Sequence, residues 1–302
     1  MVIGVVGYFF AVTLANNWSE VAAEHLTFNP LWVVSIVIFA AAVPTTGLVW
    51  ARMLRTLEPS ARVGSAEAIA VQCLSWLLKY VPGQVGSVVN KVIWAGKRKL
   101  SRTLVIITFV YENVFLQLAS IVPTVVILVL SLGPELFGQN AAVLIVPLLL
   151  LVPIALVMYA PFFRGVVNRT AKRVLKQDVP REYFLGSIPT LRFFIEFMGP
   201  RIFNGVGFVL IAMTVSPIGP GEWLPFAAAY VLAGAIGILA FFVPSGLGVR
   251  EAVIVLILSQ YIPVAEAIVI SLLARLLSTV GDGLVALVYV TTRRMVPKEH
   301  RP

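Results

Sequence analysis

Histidine, cysteine and charge are all scarce in this chain. Its 302 residues include two histidines and one cysteine, and only 12% are Asp, Glu, Lys or Arg. A lone Cys73 excludes an internal disulfide and a thiolate metal cluster. His25 and His300 both fall in predicted loops, so no His-based metal site is expected, and no cofactor. No Ser-His-Asp set, Walker-type GxxxxGK[ST] or HExxH occurs, and no soluble stretch is long enough for a nucleotide fold. The chain is therefore not expected to be an enzyme, nor to be driven by its own ATP site.

What is present is apolar: 59% of the residues are hydrophobic and the mean hydropathy is +0.96. Tracts near 31–50, 103–132, 141–163 and 266–290 are each long enough to cross a bilayer, which takes about 20 residues of helix. Seventeen of the 23 basic residues fall in the short segments 52–62, 97–102, 164–181 and 293–301. Segments 16–30, 133–140, 216–222 and 259–266 contain no Lys or Arg but carry Glu20, Glu24, Glu135, Glu222 and Glu266. Cytoplasmic loops accumulate Lys and Arg, so the split assigns a side to each loop. The formal charge of +9 thus orients a membrane protein and attracts anionic headgroups, and nucleic acid is not an expected partner.

The sides constrain the topology. Segment 63–96 begins and ends beside basic segments, and 223–258 begins and ends beside non-basic ones. Each enters and leaves on one face, as a re-entrant pair of half-helices or as two packed spans. About 16 residues per arm favours the re-entrant form. Each has a breaker near its centre: Val81-Pro82-Gly83-Gln84-Val85-Gly86 in the first, Val243-Pro244-Ser245-Gly246-Leu247-Gly248 in the second. Proline removes a donor and glycine frees the backbone, so each motif ends one helix and starts another. At an offset of 162 residues Tyr80-Val81-Pro82 superposes on Phe242-Val243-Pro244, and Gly86 on Gly248. Three spans separate the hairpins, which places them on opposite sides.

The expected fold is an all-α polytopic membrane protein with about six full spans and two opposed re-entrant helical hairpins in an inverted-topology repeat. Repeat one covers about 31–132 with the inner hairpin 63–96, and repeat two about 188–290 with the outer hairpin 223–258. Further spans are expected at 1–15, 141–163 and 188–215. Residues 164–187 form a mainly basic polar loop. Both termini are expected in the cytoplasm, with the chain integral to the cytoplasmic (inner) membrane. The N-terminal tract has no basic n-region, so no cleaved signal peptide is expected.

Ionisable groups inside spans are costly, and mark candidate sites. Arg192 and Glu196, four apart, are expected to pair on one helix. Glu67 and Lys91 sit near the mouths of the inner hairpin, where a solvated or snorkelling state is expected. The sharper set is Lys79, Glu112, Arg250, Glu251, Arg275 and Asp282, close to Pro82, Gly83, Gly86, Pro244, Gly246 and Gly248. A helix restarting at 246–248 offers free N–H groups and a positive dipole end, and arginines add a planar fork suited to phosphate. The competing expectation is internal pairing, Arg275 with Asp282 or Glu112 and Arg250 with Glu251.

At Lys79-Tyr80-Val81-Pro82-Gly83, Ser87 to Lys91, Ser101-Arg102, Glu112, Pro244 to Glu251 and Arg275 the chain resembles the transmembrane region of lysylphosphatidylglycerol synthases, over roughly 30–290. The resemblance implies a lipid-flippase-like region that moves aminoacylated phosphatidylglycerol between leaflets. It also implies association with lipid- or glycan-synthesis enzymes. The family often has Glu-Arg where this chain has Glu112-Asn113, and a glycine where it has Ser245. These 302 residues include no acyltransferase-like domain, so lysyl-lipid synthesis is not expected of them.

The functional expectation is translocation of an anionic lipid headgroup: an aminoacyl or other phospholipid, or a polyprenyl-phosphate-linked lipid. Membrane lipids with phosphate headgroups are the expected partners, and an oligomer is compatible with the sequence. The alternatives are a non-transporting subunit of a membrane complex and a membrane transferase using Glu112 or Asp282 as base.

Overall fold

In hydrocarbon every backbone N–H and C=O must be bonded within the chain, so long apolar runs fold as helices. A computed structural model describes residues 27–78, 85–133, 160–174, 179–239 and 248–302, and among these residues the regular structure is helix, with no strand. The α-helices are α1 (Pro30–Leu57), α2 (Ser65–Leu77), α3 (Val85–Lys97), α4 (Arg102–Leu132), α5 (Ala160–Val174), α6 (Ser187–Ala212), α7 (Pro220–Leu239), α8 (Val249–Leu258) and α9 (Val264–Arg294). Helices within Pro30–Leu57, Arg102–Leu132, Arg181–Ala212, Pro220–Ile238 and Val264–Arg294 are long and apolar enough to cross a membrane. Four of these coincide with expected spans. The spans expected at 1–15 and over most of 141–163 lie outside the described residues.

Helix starts follow local chemistry. Asn29 caps α1, its Oδ1 accepting the Leu31 N–H at 2.9 Å, with Pro30 at the first helical position. Ser101 caps α4 through the Leu104 N–H at 3.3 Å. Both α7 and α8 open with Gly-x-x-Glu, and in each the glutamate reaches back to the glycine N–H, Glu222 to Gly219 and Glu251 to Gly248. Prolines 44, 123, 200 and 225 sit inside long helices, which membrane bundles tolerate.

The two hairpins differ in proportion. In the first, α2 and α3 have 13 residues each, about 20 Å, too short to cross alone. In the second, α7 has 20 residues and α8 only 10, where two arms of similar length were expected. Pro220 and Glu222 start α7 ahead of the predicted boundary, and α8 does not begin until after Gly248. Residues 79–84 and 240–247, which hold Lys79, Pro82, Gly83, Pro244 and Gly246, lie outside the described residues, and of the breakers only Val85, Gly86 and Gly248 are described. The expected polar loop after 164 is instead helical through Val174.

Two compact units divide the chain. One draws on 1–42, 120–147 and 201–284, the other on 43–119, 148–200 and 285–302. In the first, small residues bring backbones together. A Cβ at Gly207 would lie 2.9 Å from the Phe39 ring, and one at Gly205 2.9 Å from Ala227 Cβ. Ser35 Oγ donates to the Gly207 carbonyl at 2.7 Å, and Tyr230 stacks between Phe39 and Phe208. The second unit has an aromatic core of Trp50, Trp94, Tyr111, Phe115, Phe193 and Phe197. It also brings three of the basic segments into contact. Lys97 Nζ donates to the Arg301 carbonyl at 2.8 Å, and Arg98 donates to the Arg62 carbonyl. Their meeting agrees with the single side that charge assigned to them.

Candidate functional site

The face of α3 that turns inward is its polar one. Ser87, Asn90 and Trp94 recur at helical spacing toward α2 and Lys91 is buried beside them, while Val89 and Ile93 are 44% and 55% exposed on the other side. Asn90 Nδ2 donates to the Val71 carbonyl at 3.2 Å and to Ser75 Oγ at 2.9 Å. Ser87 Oγ donates to the Ser75 carbonyl at 2.6 Å, and Ser75 Oγ to the Ser87 carbonyl at 3.3 Å. Trp94 Nε1 donates to Glu67 Oε1 at 2.9 Å, and Arg98 pairs with the same oxygen at 3.2 Å. The partner numbers 67/94, 71/90 and 75/87 add to 161 or 162, so the arms run antiparallel about a register centred on Val81.

Lys91 is fully buried and forms an ion pair with Glu112 of α4, itself 3% exposed. Its Nζ also lies 4.3 Å from the Trp50 ring centroid, a cation–π contact. Gln72 Nε2 donates to the other oxygen of Glu112 at 2.8 Å, and Trp50 Nε1 donates to Thr108 Oγ1 at 3.2 Å. The expected solvated state of Lys91 and Glu67 is therefore corrected. Each carries its own partner inward, and partnered burial is the condition on which charge survives in a low-dielectric interior. Gln72, Asn90, Trp50 and Thr108 were missed as members. The signal was there in Gln72 and Asn90, amide side chains in otherwise apolar arms.

In the other unit Gly248 has φ +80°, a conformation glycine adopts freely, and α8 starts from it. Glu251, in the first turn of α8, accepts the Gly248 N–H at 2.7 Å on one oxygen and pairs with Arg275 of α9 through the other. Internal pairing thus occurs with a partner that the sequence does not single out: Arg275 pairs with Glu251, which the sequence sets with Arg250. The Arg250 guanidinium lies over the Tyr230 ring, 5.3 Å from its centroid, within electrostatic reach of Arg201. Asp282 is half-buried two turns along α9 from Arg275, and Gly86 stands in the first turn of α3. The expected Arg192–Glu196 pair is present at 2.8 Å, and Arg52 joins Glu196 at 3.4 Å.

Each hairpin thus ties the half-helix after its breaker to the long helix that follows by one carboxylate–cation pair, fully buried in the first and partly buried in the second. The charges are exchanged between the two. The half-helix supplies the cation in Lys91–Glu112 and the anion in Glu251–Arg275. At the offset of 162, Arg275 falls one position beyond Glu112 and Glu251 two positions before Lys91.

Membrane-length helices, an inside-out arm and charges paired in the interior define an integral membrane protein. The family model of the lysylphosphatidylglycerol synthase TM region matches residues 1–286, and the chain belongs to that family. No curated protein matches the chain.

Proposed function

We propose that the chain translocates a lipid with an anionic headgroup between leaflets, without chemical turnover: an aminoacyl or other phospholipid, or a polyprenyl-phosphate-linked lipid. The observation that carries this reading is the cationic set at the start of α8. Arg250 stands two residues after the left-handed Gly248, packed on Tyr230 and in the field of Arg201, with Arg275 on the neighbouring α9. Helix N-terminal N–H groups and guanidinium forks are donors suited to a phosphate in a low-dielectric site. In this reading the two hairpins are re-entrant, on opposite faces of the cytoplasmic membrane, and both termini are cytoplasmic. Rocking of the repeats would expose the headgroup to one leaflet and then the other. Enzymes of lipid or glycan synthesis in the same membrane are the proposed source of cargo.

Lipid transfer in proteoliposomes tests it. Fluorescent phosphatidylglycerol in the outer leaflet becomes protected from a membrane-impermeant reductant as it crosses. Arg250→Ala is expected to slow crossing at least tenfold, and an unchanged rate would reject the reading. A non-transporting subunit is the second reading, favoured by the internal pairing of Lys91 with Glu112 and of Glu251 with Arg275. It predicts no protein-dependent crossing by the intact chain.

A further inference from the structure

Helix α5 carries Arg164, Arg169, Lys172 and Arg173 and no acidic residue over Ala160–Val174. Its rotation about its own axis is fixed by packing. Phe163 is buried, its ring 5.0 Å from Tyr111 and 5.7 Å from Phe184, and Val167, one turn on, packs on the same core. That orientation turns Phe162 and Val166 outward, 44% and 48% exposed on one stripe. A further step of three residues carries the stripe on to Arg169, which is exposed.

Along this stripe apolar side chains give way to cations within one turn, about 4.5 Å of rise from Val166 to Arg169. Hydrocarbon gives way to phosphate over a comparable depth at a bilayer surface, since the headgroup zones add about 10–15 Å in all to a core of about 30 Å. Apolar residues followed by arginines without acidic neighbours are the complement of an acyl chain followed by an anionic headgroup.

We propose that this stripe of α5 is a binding site for an anionic phospholipid, with an acyl chain along Phe162 and Val166 and the phosphate at Arg169. The lipid is a resident of the leaflet facing α5, not the cargo, and the site shares no residue with the set around Arg250. It stands whether or not the chain transports.

Photo-crosslinking tests it. The intact chain in phosphatidylcholine nanodiscs is irradiated with a trace of phosphatidylglycerol bearing a diazirine acyl chain, and adducts on the peptide containing 160–174 are counted by mass spectrometry. The expected yield exceeds that of the matching phosphatidylcholine probe. It should fall about fivefold in Arg169→Gln, the scale of one basic residue at an anionic surface. Arg169→Lys, which keeps the charge, retains most of the yield, and Arg250→Ala leaves it unchanged. Equal yields for the two probes, or an unchanged yield in Arg169→Gln, would overturn the site. So would adducts that avoid this peptide.

Discussion

Lys91 and Glu112 face each other across α3 and α4 with both side chains out of contact with solvent, under the ring of Trp50. Each neutralises what would otherwise be an isolated buried charge. Removing one partner leaves the other stranded, and such losses run to about 3–5 kcal/mol. Lys91→Met is therefore expected to be strongly destabilising. Adding Glu112→Leu should recover more than half of the loss, because no uncompensated charge then remains. Thermal unfolding in detergent checks both, and a Lys91→Met chain that melts like the parent would show the pair to be dispensable.

The buried Cys73 reports on the same hairpin. It lies on α2 beside Gln72, which holds Glu112. In the folded chain its thiol is expected to resist maleimide labelling until denaturant is added. Lys91→Met should speed labelling at least tenfold under native conditions, since loosening α3 uncovers α2. Equal labelling rates in the two chains would mean that the ion pair does not hold the arms together.

Two carboxylates perform the same capping task with different additional duties. Glu222 accepts the Gly219 N–H, whereas Glu251 accepts the Gly248 N–H and also pairs with Arg275. Glu222→Gln is expected to cost at most about 1 kcal/mol, the scale of a helix cap. Glu251→Gln should cost about 2–3 kcal/mol, because a charge-assisted bond is lost as well. Melting temperatures of the two variants should therefore separate clearly, and equal shifts would remove the Arg275 pair from the stabilising interactions.

Glycines offer a paired test of packing. A Cβ at Gly47 would meet Gln72 Cβ at 2.7 Å and the Ala68 carbonyl at 3.0 Å, whereas one at Gly64 meets nothing within 4 Å. Gly47→Ala should force α1 away from α2 at a cost of about 1–3 kcal/mol. Gly64→Ala should leave the melting temperature within a degree or two, as expected of a substitution into open space. If both variants behave alike, α1 and α2 do not approach as described.

Charge distribution and apolar length made much of the architecture legible. The spans α1, α4, α6 and α9 follow from apolar length, and Lys97 meeting Arg301 agrees with placing those two basic segments on one side. Helix ends were harder to read. The early start of α7 depends on Pro220 and on Glu222 folding back to Gly219, a local bond that no hydropathy pattern reports. Pairing was least legible. Residues 91 and 112, or 251 and 275, are brought together by tertiary packing, which spacing along one helix does not report. The inward polar face of α3 was visible in Ser87, Asn90, Lys91 and Trp94, but recognising it requires reversing the usual sense of an amphipathic helix. In lipid the apolar side looks outward.

The capping of α8 by Glu251 bears on how tightly a phosphate would be held there. An anion arriving at Gly248 and Arg275 finds a carboxylate already in possession of both donors. On the proposed reading it would compete with Glu251 for these two donors, and the gain there would be the small difference between two similar interactions. A carrier must release what it grips. A resident competitor at the donors would keep the grip shallow and make each departure of cargo coincide with the return of Glu251.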